Sequence, residues 1–146
     1  MLRNILVHSH SGFRWILILL FLVSLYMLFQ AGFRQKTLAA ARKSALITLI
    51  ITHIQLIIGL VLYVISPLVI FNAASMKNHV LRFYLVEHIS LMLIAIVLVT
   101  LGYSFGKKAV DQSAGARKMF YYYLIGFILI LISIPWPFRN LGASWF

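Results

Sequence analysis

Glu87 and His88 stand side by side near the start of FYLVEHISLMLIAIVLVTLGYSF, residues 83–105, a stretch apolar for long enough to cross a bilayer. A charged side chain inside such a span costs roughly 2.5 to 3.5 kcal/mol on insertion scales, so something must compensate for Glu87. On one reading Glu87 reaches interfacial water and His88 is a packed, hydrogen-bonded core residue. On the other, His88 is a ligand and Glu87 belongs to a proton or ion-pair site. An ionisable residue inside a membrane span favours the second.

The composition narrows the chemistry open to these residues. There are no cysteines, which removes thiolate metal sites, covalent c-type haem attachment and disulfides, and any metal must be held by the five histidines. No Ser, His and Asp grouping can be assembled when Asp111 is the one aspartate, and no glycine-rich phosphate loop is present. Of the 146 residues, 63% are hydrophobic and 10% charged, which excludes a soluble globular domain. The net charge of +11 would suggest nucleic acid in a soluble chain. In this one it suggests loops that face anionic lipid headgroups, with the bilayer as partner and no nucleic acid.

The elements that must position the histidines are four spans, at about residues 12–31, 45–66, 83–105 and 119–138. They form a single all-α unit over residues 1–146, an integral membrane four-helix bundle of up-down-up-down order. Helix is expected to reach back past His8, and with no small-residue cleavage site after MLRNILVHSHSGFRW no signal peptide is read. Pro67 closes span two, and Pro135 and Pro137 close span four. Ser75 reads as a helix N-cap in the connection between spans two and three, with Thr37–Ala41 extending the helices around the first loop. Gly106 and Gly115 read as helix breakers on either side of the second loop. One loop holds Arg34, Lys36, Arg42 and Lys43, the other Lys107, Lys108, Arg117 and Lys118, whereas Arg3, Arg14, Lys77, Arg82 and Arg139 share the opposite side. By the positive-inside rule both termini face out, periplasmic if the membrane is a bacterial inner membrane, with Trp136, Trp145 and Phe146 at headgroup depth.

Small residues recur every seven positions, as helices packing in membranes require. Span two carries Ala45, Thr52, Gly59 and Ser66; span three Ala95 and Gly102; span four Gly126 and Ser133; span one Ser24 and Ala31. His88 continues the series of span three, and His10 with Leu17 that of span one, whereas His8 falls on a surface line with Trp15, Leu22 and Phe29. At 1.5 Å per residue, His10 is roughly 30 Å above Gln30 and His88 about 25 Å above Phe105, close to one level. His53, only ~14 Å above Ser44, is near mid-membrane, where a hydrogen bond to a Thr or Ser across the bundle competes with a cofactor role. His79 reads as a solvated loop residue. Arg14, one turn beyond His10, is placed to form an ion pair with Glu87.

Two neutral imidazoles from different helices at one depth are how a bundle holds haem iron without cysteine, with arginines such as Arg14 and Arg139 near the propionates. Zinc would need His53 and Glu87 beside His10 and His88. The runs HSHSGFRW before span one, THIQLIIGLVLY in span two, VEH opening span three and ISIPWPFR closing span four resemble a family of small bacterial four-helix membrane proteins labelled cytochrome b-like. The resemblance covers nearly the whole chain. It implies a b-type haem, a role in membrane electron transfer, and ligands among His8 or His10, His53 and His88. Stripe and depth favour His10 with His88 as the metal ligands. The expected function is thus a haem b electron carrier, with quinone, other membrane subunits or a second copy of the chain as partners and Glu87 tuning or taking up protons. The alternative is a haem-free accessory subunit of a larger membrane complex.

Overall fold

The computed structural model describes residues 1–35, 38–109, 111–143 and 145. Lys36 and Thr37 of the first basic loop, and Phe146 of the aromatic tail, lie outside these described residues. Four helices are long and apolar enough to span a membrane: α1 (Leu2–Arg34), α2 (Leu38–Ile65), α3 (His79–Lys107) and α4 (Gln112–Ser133). No strand occurs among the described residues, and the fold is an all-α four-helix bundle. α1 runs unbroken from Leu2 because nothing before Arg34 interrupts the ladder, and it ends at Gln35 in the left-handed region (φ 53°). α2 stops at Ile65, two residues ahead of Pro67, as expected.

Several boundaries differ from the expected ones for local reasons. α4 starts at Gln112, capped by the Asp111 carboxylate, which accepts from the backbone of Ser113 and Ala114. It ends at Ser133, short of residue 138, since Ile134 precedes Pro135 and is forced into an extended conformation (ψ 132°). Gly106 and Gly115 do not break helices; they lie inside α3 and α4. A side chain on Gly106 would meet Met119, and one on Gly115 would meet the Gly106 carbonyl, so both permit close approach. Ser75 is not an N-cap either. Asn72 caps the short 3-10 turn Ala73–Lys77 and its Oδ1 takes both the backbone N–H and the hydroxyl of Ser75, while Asn78 caps α3. His79 is the exposed first residue of α3 and belongs to no loop.

The helices pack antiparallel, α1 against α2 and α4, and α3 against α4, with α2 meeting α3 only lightly. The seven-residue stripes lie at these contacts: Ser24, Ala31, Ala45, Thr52, Ala95, Gly102, Gly126 and Ser133 are all buried. Ser24 Oγ shares hydrogen bonds of 2.7 Å with Ser44 Oγ and Thr48 Oγ1, and Tyr123 donates to the Ala45 carbonyl at 2.8 Å. Leu17, Phe21, Leu28, Tyr123 and Phe127 fill the interior from mid-bundle toward the basic loops. Leu19, Ile57, Val64, Ile128 and Ile132 point outward, the apolar exterior that contact with lipid requires. The other half of the bundle, at the end carrying Met1 and Trp145, is not filled.

Candidate functional site

A cavity of about 290 Å³ occupies that unfilled half, bounded by all four helices and roofed by the segment after α4, with Gly142 and Ala143 in its lining. Along α1 the lining runs from Arg3 to Leu17 and along α2 from Thr52 to Ser66. The fourteen helical rises from Arg3 to Leu17 make a slot about 20 Å long. Its deep end is apolar, with Met92, Ile96 and Ile130, while its outer part holds His10, Arg14, Gln55, Tyr84 and His88.

His10 and His88 meet there. Their ring centroids are 6.4 Å apart and the planes are inclined at 76°. Nδ1 of His88 is 2.8 Å from the Ser133 carbonyl oxygen, which can only accept, so Nδ1 carries the proton and Nε2 the lone pair. Metal-ligating histidines are commonly oriented by this kind of bond to a backbone carbonyl. The segment just before His88 is a π turn, Phe83–Glu87, in which the His88 backbone N–H reaches back five residues to the Phe83 carbonyl. Such a turn inserts one residue and re-aims whatever follows it. Tyr63 of α2 donates to the Leu85 carbonyl within the turn at 2.9 Å, fastening it from outside.

His10 is set from α2. A Cβ on Gly59 would lie 3.1 Å from His10 Cε1, so the imidazole rests against glycine backbone, and Gln55 Nε2 donates to the His10 carbonyl at 2.7 Å. Four buried side-chain polar atoms have no hydrogen-bond partner among the described residues, and three of them, His10 Nδ1, Arg14 Nε and Gln55 Oε1, belong to residues lining this slot. Buried polar groups in proteins are normally satisfied by protein or by ordered water, so this clustering gives the slot polar atoms that water or a polar ligand would satisfy.

The remaining site candidates lie elsewhere. His53 does not line the slot. Its Nδ1 donates to the Leu49 carbonyl of its own helix at 2.9 Å, and Nε2 is 3.5 Å from Thr100 Oγ1 on α3, the cross-bundle Thr contact anticipated for it. Arg139 is also absent from the lining; it caps the end of α4 by donating to the carbonyls of Ile132 and Ile134, and it stacks 4.9 Å from the Phe83 ring. His8 is exposed. The expected Arg14–Glu87 ion pair is not formed. Glu87 pairs with Arg82 on its own helix at 2.8 Å, since the π turn brings the two onto one side, and Arg14 donates to the Trp145 carbonyl at 2.7 Å.

Two imidazoles facing one metal ion, with metal–nitrogen bonds of about 2.0–2.1 Å, have ring centroids about 6.3 Å apart. The His10–His88 separation fits that arrangement. No group of three or more His, Asp or Glu able to hold a metal occurs among the described residues, so the zinc set of His10, His88, His53 and Glu87 is not assembled. Sequence reasoning missed the π turn, the Tyr84 hydroxyl, which donates to the Leu141 carbonyl at 3.1 Å, and the roof built from the tail. Gln55 was findable, since it lies one turn before Gly59 on nearly the same face. No model of a known protein family, no curated protein and no solved structure matches this chain.

Proposed function

We propose that the chain is a membrane electron-transfer protein whose slot takes one haem b, which His10 and His88 would hold through its iron. The observation that carries this is the pair itself: two imidazoles from separate helices, 6.4 Å apart between centroids, lining one cavity. Haem b, when bound, supplies a one-electron couple. The chain's own part is to bring two imidazoles to one cavity, to fix the His88 tautomer through the Ser133 carbonyl, and to surround the apolar end with Met92, Ile96 and Ile130. A 290 Å³ slot is small for a ligand pocket, so a macrocycle would have to open the bundle toward lipid, and α2 and α3 are neighbours that meet only lightly. A cofactor edge reaching lipid there suits a membrane-dissolved quinol or a neighbouring membrane subunit as redox partner.

Orientation follows from charge. Arg34, Arg42, Lys43, Lys107, Lys108, Arg117 and Lys118 gather at the end opposite the slot, which supports a reading with the slot and both termini on the outer face of a bacterial inner membrane. The reduced-minus-oxidised absorption spectrum of protein purified after expression with ample haem tests the reading. Paired α and Soret changes are expected, and their absence would overturn it. A C-terminal reporter fusion that behaves as cytoplasmic would overturn the orientation.

A further inference from the structure

Arg14 sits inside the spanning part of α1, is only 8% exposed, and lines the slot. Among the described residues its guanidinium finds neutral company alone. Nη2 donates to the Trp145 carbonyl at 2.7 Å, the indole rings of Trp15 and Trp136 lie 5.6 and 5.9 Å from Cζ, and Nε is buried without a partner. The chain has two acidic side chains, Glu87 and Asp111. Glu87 is taken by Arg82, and Asp111 caps α4 at the opposite end of the bundle. No acidic residue lines the slot, whereas a second cation, Arg3, lines its mouth. A buried charge without an opposite charge is costly in a protein and more so in a bilayer, and the described residues place none beside Arg14, so the arrangement suits an anionic ligand.

We infer that Arg14 is the anchor for a carboxylate of the ligand held in the slot. The guanidinium edge formed by Nε and Nη2 is a two-pronged donor. One carbonyl oxygen, that of Trp145, occupies one prong, and a carboxylate with two oxygens satisfies both. Binding therefore displaces the Trp145 carbonyl from Arg14. The inference rests on the haem reading, in which the carboxylate is a propionate, and it puts the propionate edge toward Arg14 and Arg3 with the apolar edge toward Ile96 and Ile130.

The test compares ferric haem b with its dimethyl ester, which keeps the ring and removes the anionic charge. Full-length chain in phosphatidylcholine nanodiscs is titrated with each, and formation of the low-spin absorption bands is followed. Charged hydrogen bonds of this kind lead us to expect wild type to bind haem about 10-fold or more tighter than the ester. Arg14→Gln should abolish that preference, Arg14→Lys should retain part of it, and Arg139→Gln should keep it whole. The ester comparison on wild type needs no variant to fold. Equal binding of both probes by wild type, or a preference that survives in Arg14→Gln, would overturn the assignment. So would loss of the preference on adding phosphatidylglycerol, because the anion at Arg14 would then be a lipid phosphate. Binding of neither probe would instead overturn the haem reading beneath it.

Discussion

Adding one methyl group at Gly59 and one at Gly102 should move stability in opposite directions. Both glycines are interior to helices, where Ala is favoured over Gly by about 1 kcal/mol. At Gly102 the new Cβ would run into the Cβ of Tyr122, which is fixed to the backbone and cannot swing aside, with Cγ only 3.0 Å away, so Gly102→Ala should destabilise by about 1–3 kcal/mol as an overpacked core does. At Gly59 the nearest atom would be His10 Cε1 at 3.1 Å, some 0.4–0.9 Å inside the ordinary carbon–carbon separation of about 3.5–4.0 Å. The imidazole beside it borders the open slot and can recede. Gly59→Ala should therefore keep its helix-propensity gain, up to ~1 kcal/mol. Metal sites tolerate distance changes of only about 0.2 Å, so the same displacement should weaken low-spin haem binding. Unfolding in sodium dodecyl sulfate, followed by circular dichroism, gives the first quantity and a haem titration the second. A Gly59→Ala protein as unstable as Gly102→Ala would mean that His10 is wedged with no space beside it, and the slot as described would be wrong.

Arg14 and Glu87 should behave independently: the effects of Arg14→Leu and Glu87→Gln on unfolding should add to within about 0.5 kcal/mol, whereas Arg82→Leu and Glu87→Gln should couple, by no more than ~1 kcal/mol for so exposed a pair. Tyr63→Phe leaves the Leu85 carbonyl in the π turn without its donor and should cost about 1–3 kcal/mol in the same unfolding assay, with a shift in the haem bands as His88 moves. Asp111 accepts from the Ser113 hydroxyl and from the Ala114 and Ser113 backbone, which holds its carboxyl below the usual value of 3.8. Its capping contribution should thus be fully present above pH 3.8 and fade as the pH falls through the lowered folded value, a dependence that Asp111→Asn should remove from the unfolding curve.

The bundle was legible because its determinants are local and periodic. Apolar runs about 20 residues long, Pro67, and small residues every seventh position each act on the helix that carries them. The same periodicity put His10 and His88 on inward faces, and one count of helical rise put them at one level. What escaped depends on events a count assumes away. A π turn is one extra residue hidden in an otherwise continuous helix, and it turned Glu87 toward Arg82 and away from Arg14. Ser75 was misread because the capping oxygen comes from Asn72, three residues earlier, with nothing in the apolar pattern to mark it. The roof over the slot comes from residues beyond the last span, where Leu141 is fully buried and Tyr84 binds its carbonyl, contacts made across 57 positions of sequence.

The most direct test is the low-temperature electron paramagnetic resonance spectrum of the ferric protein. If His10 and His88 hold haem iron with their rings kept at the observed 76° inclination, two iron d orbitals would be nearly degenerate and a strongly anisotropic low-spin signal is expected. It should be lost in His10→Ala and in His88→Ala and kept in His53→Ala. A low-spin signal that persists in His88→Ala, or one that disappears in His53→Ala while surviving in His10→Ala, would contradict the pairing of His10 with His88.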